Sequence, residues 1–328
     1  MACECPDKIF SVTEQEFEPL ALDIYRCQYQ ENPLYRLFAD SIGKPPQNVG
    51  SLAEIPYLPI RFFKSHIVKT GAFEDQVVFK SSGTTAMSRS SHHVKDISLY
   101  EKSFLKTFEQ FYGSPGQYCI AGLLPSYIEQ GSSSLVYMVE HLIRKSGHPA
   151  SGFYLYDHRA LSRLLEQHEQ MGTTTILFGV TFALLDFAAA GPLYLKNCII
   201  IETGGMKGRK KEMTREEVHQ VLMDAWGVSS IHAEYGMTEL LSQAYSTGSG
   251  RFRTPPWMKI LLRDDEDPFL ISTRGEKSGV LNIIDLANVH SCSFIATDDV
   301  GKIHADGSFE VLGRMDNADI RGCSLMTV

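Results

Sequence analysis

The sequence has no run of 18 apolar residues, so no membrane-spanning helix is expected. It has no G-x-x-x-x-G-K-[ST] segment, which excludes the common phosphate loop as a way of holding a polyphosphate. It has no excess of positive charge. A net charge of −8 argues against a nucleic-acid-binding face, yet leaves room for a local site that takes a small anion. Its opening residues, Met1 to Asp7, are acidic and lack an apolar core segment, so a secretory signal is not expected. There is no internal repeat and no low-complexity tract. Cysteine is present without a pairing pattern, at Cys3, Cys5, Cys27, Cys119, Cys198, Cys292 and Cys323. An odd, scattered set is not a disulfide framework, and a reducing cytoplasm is its natural compartment. Cys3 and Cys5 alone cannot supply the four ligands of a structural zinc site. Cys119 and Cys198 sit inside apolar runs and read as core thiols.

The chain has 328 residues, 43% of them apolar and 21% charged. That is enough for one large domain or two ordinary ones with a sizeable core. Residues 1 to 75 read as mainly helical. Thr13 and Glu16 form a capping-box pattern ahead of apolar residues at helical spacing, Phe17, Leu20, Ala21, Ile24 and Tyr25. The stretch from Ile55 to Ile60 carries two prolines and reads as an extended connector. Residues 76 to 249 alternate apolar strands with helices. Strands are expected near 76–79, 118–124, 152–156, 173–178, 197–202 and 230–235, with helices near 96–112, 134–145, 158–170, 182–189 and 214–226. Such alternation predicts an α/β fold, a parallel sheet flanked by helices. Ligands in such sheets bind beyond the carboxyl ends of the strands. Residues 250 to 328 lose the helical signal. Short strands between Gly, Asp and Pro turns predict a small appended β-barrel or sheet.

The chemistry is concentrated in a few stretches. After the first expected strand of the α/β part comes Ser81-Ser82-Gly83-Thr84-Thr85, closed by Arg89. Hydroxyls, a glycine and inward N–H groups can wrap a polyphosphate. The plainer alternative is a Ser/Thr-rich surface turn. His92 and His93 follow; they could touch substrate, but exposed loop histidines are the simpler assignment. Tyr235-Gly236-Met237-Thr238-Glu239 follows the last strand of the α/β series. Thr297-Asp298-Asp299 and Gly313-Arg314-Met315-Asp316 come later. Each is weak alone; together, in this order, they are specific.

In these motifs the chain resembles the adenylate-forming superfamily, which includes acyl-CoA synthetases, nonribosomal adenylation domains and luciferases. The resemblance implies the N-terminal domain fold of those enzymes, with ATP and Mg²⁺ as cofactors. It implies that Ser81, Ser82, Gly83, Thr84 and Thr85 close over the ATP phosphates, with Arg89 standing in for the family's usual lysine. Tyr235 would stack on adenine, with Gly236 in the same turn and Glu234 able to reach the adenine edge. Thr238 would contact the α-phosphate and Glu239 would hold Mg²⁺. Asp299 would bind the ribose hydroxyls, although Asp298 stands where the family has glycine. Arg314 would bind ribose or phosphate at the hinge, and Gly204 and Gly205 would line the acyl pocket and adenine slot.

Relatives continue past the Gly-Arg-x-Asp hinge into a mobile lid with a catalytic lysine, whereas this sequence runs only to Val328. In this respect, and in Thr203 to Gly208 and Arg321-Gly322-Cys323, it resembles the acyl-protein synthetases of the bacterial bioluminescence fatty-acid reductase complex. That resemblance implies activation of a fatty acid as its adenylate and transfer of the acyl group to Cys323. Delivery to an acyl-CoA-reductase-type protein partner would follow. A tail thiol beside Arg321 is favoured as thiolate and accessible; otherwise Cys323 is an ordinary tail residue. Two other functions compete. One is an acyl- or aryl-CoA ligase similar to phenylacetate–CoA ligases. The other is a non-catalytic adenylate-binding module, against which the presence of Glu239, Asp299 and Arg314 argues.

Overall fold

The computed structural model describes residues 6–81, 89–125, 131–204, 213–272 and 278–315. The chain opens with α1 (Glu14–Glu31) and α2 (Pro33–Ser41). The Glu16 carboxylate accepts from both the N–H and the hydroxyl of Thr13, so the expected capping box is present. Asn32 separates the two helices and caps the second, its side chain accepting from the Tyr35 N–H at 3.0 Å.

The segment expected as a connector contains β1 (Leu58–Pro59), a two-residue strand parallel to a later one. It lies at a sheet edge, where proline is tolerated because one side needs no donor. The short helix α3 (Phe62–Ser65) follows. Then β2 (Val77–Lys80) and β3 (Ser91–Val94) form an antiparallel hairpin. The sequence did not announce β3. His92 and His93, expected as exposed loop histidines, are strand residues, and His92 is buried.

The α/β part follows its expected alternation. It comprises α4 (Ile97–Tyr112), β4 (Cys119–Leu123), α5 (Ser134–Ser146), β5 (Gly152–Phe153) and α6 (His158–Met171). Then come β6 (Thr175–Val180), α7 (Thr181–Ala188), β7 (Cys198–Thr203), α8 (Arg215–Trp226), β8 (His232–Tyr235) and β9 (Ala244–Ser246). The sheet order is β5-β4-β6-β7-β8-β9, parallel except for β9, an antiparallel edge strand that was not foreseen. Every residue of β4 and β6 is buried, which is why those strands read as unbroken apolar runs. The fifth strand is shorter than its apolar run suggested, because the chain turns at Leu155, which has a left-handed φ of 43°.

The β-rich part contains β10 (Met258–Arg263), β11 (Ile271–Ser272), β12 (Ser278–Asp285), β13 (Phe294–Ile303) and β14 (Phe309–Arg314). Their order is β1-β13-β12-β10-β11, with β14 also on β13. The N-terminal helices are bonded to this sheet region. The Gln28 amide donates to the carbonyls of Asn288 and Val289 and accepts from the Ser293 N–H. One hydrophobic core runs from Ile9 to Phe309. Among the described cysteines, Cys119, Cys198 and Cys292 are free, as expected for the two in apolar runs, and Cys27 is disulfide-bonded. No helix among the described residues is long and apolar enough to cross a membrane.

Candidate active site

Three parallel strands end side by side, and residues at their carboxyl ends form a ladder. Val180 of β6 pairs with Thr203 of β7, and Thr203 pairs with Glu234 of β8. The Thr203 hydroxyl donates to Glu234, and the Thr181 hydroxyl donates to Glu202. The Thr181 hydroxyl also lies 3.5 Å from the carbonyl of Gly204. Arg215 and His219 of α8 each approach Glu202 to 3.9 Å. Two carboxylates are therefore buried at the carboxyl edge of the sheet, where ligands of such folds bind.

Glu234 is turned inward, under the turn that follows. A β-carbon at Gly236 would stand 2.4 Å from Glu234 Oε1, so a larger residue there would displace this carboxyl. Burial pushes the Glu234 carboxyl up to about 7, against the pull of the Thr203 hydroxyl, and the neighbouring Glu202 adds to the rise. Below 4.5 both folded and unfolded chains hold this proton. Between 4.5 and about 7 the unfolded chain loses it first, so stability falls as pH rises and levels off above about 7. The loss is roughly 3 kcal/mol at 1.36 kcal/mol per pH unit. Glu234→Gln is expected to flatten the stability curve over that window. Urea unfolding of both proteins at about pH 5 and about pH 7.5 checks it; equal slopes would contradict it.

Tyr235, the next residue, points its hydroxyl to Asp299 Oδ2 at 2.8 Å. Its ring meets Phe309 edge to face, centroids 5.6 Å apart. Asp299 on β13 is the register partner of Arg314 on β14, whose Nε donates to Asp299 Oδ1 at 2.8 Å. The carboxylate is almost buried, whereas the guanidinium side chain is 74% exposed. The Asp299 charge raises the Arg314 pKa further, so the arginine is a fixed cation. The hydroxyl of Thr297 accepts from the Asp299 N–H at 3.1 Å and holds the turn before it.

Glu239 is also buried. Burial raises its pKa, opposed first by the Ser90 hydroxyl that donates to it, then by its own backbone N–H, and then by the charges of Arg314 and Lys64. Ser90 pairs with Ser81 at the loop end of the β2–β3 hairpin. The Ser81 hydroxyl accepts from the Ser90 N–H and the Ser81 N–H donates to the Ser90 carbonyl, both at 3.0 Å. Arg89, just before it, is exposed. His92 then ties this hairpin to the Thr238 turn, with Nδ1 2.8 Å from the Thr238 carbonyl. Burial lowers the His92 pKa to about 4, so the ring is neutral, and Nδ1 must carry the proton to donate to a carbonyl.

The structure thus brings Ser81, Thr238, Glu239, Tyr235, Asp299 and Arg314 into one connected region. Ser82, Gly83, Thr84, Thr85, Gly205 and Cys323 lie outside the described residues. Several residues of the region were not singled out from sequence. Asp285 is wholly buried at the end of β12 and accepts from the Leu241 and Ser242 N–H groups at 2.8 and 3.0 Å and from the Ser242 hydroxyl at 2.6 Å. Burial pushes its carboxyl up to about 6 against those bonds. The Asn288 amide donates to the Glu239 carbonyl at 2.7 Å. The only sequence signal was an acid ending the apolar run Val280 to Ile284.

Solved structures bear out the expected α/β fold. MatB from Rhodopseudomonas palustris, solved with ATP bound, superposes with a TM-score of 0.53 at 17% identity, covering 74% of this chain and 49% of its own. The luciferase-like enzyme from the nonluminescent mealworm Zophobas morio gives 0.50 at 15% identity, with 75% and 59% covered. The chain spans about half the length of these structures. Residues 159–327, more than half of the sequence, match the family model described as "Acyl-protein synthetase, LuxE", and the chain belongs to that family of ligases. It is 22% identical over 367 aligned positions to the long-chain-fatty-acid–luciferin-component ligase of Vibrio harveyi, covering 98% of this chain and 92% of that protein.

Proposed function

We propose that this protein activates a fatty acid with ATP as an acyl-adenylate and then carries the acyl group on its own Cys323. The acyl group passes from there to a reductase partner in the cytoplasm. The observation that carries the activation step is the convergence of Glu239, Ser90, Asp299 and Arg314 from four separate segments. An acyl carboxylate and the ATP α-phosphate repel each other, so the site's task is positioning and charge stabilisation.

In this reading Asp299 accepts from the ribose hydroxyls, fixed by Tyr235 and Arg314 on either side. Arg314 offers its exposed guanidinium to ribose or phosphate. Ser81 and its loop, with Arg89, enclose the polyphosphate. Thr238 contacts the α-phosphate, its turn held by the buried neutral His92. Gly204 and Gly205 leave space for the acyl chain. Glu239 fits Mg²⁺: a buried carboxylate whose pKa is raised by desolvation regains its charged form beside a hard cation. Bound there, Mg²⁺ would supply charge neutralisation for the phosphates. The fatty-acid oxygen attacks the α-phosphorus and pyrophosphate leaves. The Cys323 thiolate then attacks the acyl carbonyl, AMP leaves, and a thioester remains. The family of acyl-protein synthetases and the name of the Vibrio harveyi relative support a long-chain acyl substrate.

Pyrophosphate release is the test of the first step. Release that depends on ATP, Mg²⁺ and a long-chain fatty acid together, without CoA, is expected. Silence with every fatty acid would overturn the proposal. Product formation only with CoA would replace it with a CoA ligase.

A further inference from the structure

At the opposite edge of the parallel sheet, the first residues of β4 and β6, Cys119 and Thr175, are register partners. Thr175 Oγ1 lies 2.7 Å from Nδ1 of His168, in the last turn of α6. That bond fixes the ring and leaves Nε2 for another partner. The chain leaving α5 turns back at Gly147, with φ of 63°, and brings His148 toward the sheet. Hydroxyls stitch this turn. The Ser146 hydroxyl accepts from the His148 N–H at 3.2 Å and meets Ser151 Oγ at 2.7 Å. The Ser151 hydroxyl reaches Cys119 Sγ at 3.8 Å. The His148 and His168 rings meet edge to face, centroids 5.2 Å apart. As a result the Cys119 sulfur and one ring nitrogen from each histidine all lie within 4.8 Å of one another.

We propose that Cys119, His148 and His168 form a site for a borderline-soft divalent cation, Zn²⁺, with water as the fourth ligand. One sulfur and two imidazoles are the donor set Zn²⁺ prefers, in tetrahedral geometry. Zinc–ligand bonds of about 2.0–2.3 Å put the donors about 3.3–3.6 Å apart, so side-chain movements of about an ångström complete the set. Thr175 behind His168 and Ser151 behind Cys119 are outer-shell partners of the kind that orient metal ligands. His148 is only half-buried. Cys119, which the sequence presented as an inert core thiol, becomes a ligand by giving up its proton. One proton is released to solvent per ion, so affinity rises with pH. No carboxylate belongs to the set, so Mg²⁺ does not compete for it. The site lies at the amino ends of β4 and β6, away from the nucleotide loops, and the ion ties the α5–β5 turn, α6 and β4 together.

Co²⁺ titrated into the metal-free full chain reads this site directly. The expected result is a tetrahedral ligand-field spectrum with a thiolate-to-metal charge-transfer band, saturating at one ion per chain and displaced by Zn²⁺. Cys119→Ser should lose the charge-transfer band. His148→Ala, in a surface turn, should fold normally and bind roughly tenfold or more weakly. Zn²⁺ should raise the Tm of the wild type and not of His148→Ala. No spectrum in the wild type, or the same spectrum and affinity in either variant, overturns the proposal.

Discussion

Glu239→Gln is expected to lower fatty-acid-dependent pyrophosphate release by about a hundredfold or more, the scale of losing one preorganised charge-stabilising group. The amide keeps the size of the carboxyl and removes its charge and its capacity to ligate a hard cation. The fold should survive. The Asn288 bond goes to the Glu239 backbone and is untouched by the change. The lost charge is buried and held at a raised pKa, so its removal relieves desolvation. The Ser90 hydroxyl can still donate to the amide oxygen. A thermal melt close to the wild type, with activity lost at every Mg²⁺ concentration, is therefore the expected pair of results. Activity within a few-fold of the wild type would remove Glu239 from the centre of the mechanism.

The α/β region was legible because its signals are local. Apolar runs such as Ile199 to Ile201 and capping residues such as Asp96 and Thr214 fix strands and helices without reference to the rest of the chain. What failed depended on distant partners. The strand β3 carries two histidines and little apolar character, and it exists because β2 pairs with it and the Thr238 turn accepts a bond from His92. Leu58–Pro59 becomes a strand only because β13, far along the chain, offers a free edge. The β13 strand runs on from Thr297 to Ile303 through two acids that look like turn residues. There Asp299 pairs with Arg314 and is capped by Tyr235.

The candidate site divides the same way. Motifs whose order is distinctive, from Tyr235 to Glu239 and from Thr297 to Asp299, pointed to residues that the fold brings together. The residues that hold them could not be found from spacing. Asp285 and Ser242 lie on different segments, and their bonds to each other, to Leu241 and through Ser242 to Trp257 exist only after folding. The Thr181–Glu202 and Thr203–Glu234 pairs follow from the parallel register of β6, β7 and β8, which alternation predicts in kind but not in alignment.

Cys323→Ser is expected to have the second large effect, abolishing self-acylation while leaving pyrophosphate release in place. A serine hydroxyl at neutral pH is a far weaker nucleophile than a thiolate. Glu239, Asp299 and Arg314, the residues proposed to serve activation, are untouched by the change. The separation of the two steps in one variant is what distinguishes a self-acylating synthetase from a ligase that hands its adenylate to a soluble thiol. Intact-protein mass spectrometry after incubation with ATP, Mg²⁺ and a long-chain fatty acid tests this most directly. The account predicts a mass increase of one acyl group on the wild type, removed by neutral hydroxylamine and absent from Cys323→Ser. An unmodified wild type, or an adduct that persists in the variant, would contradict it.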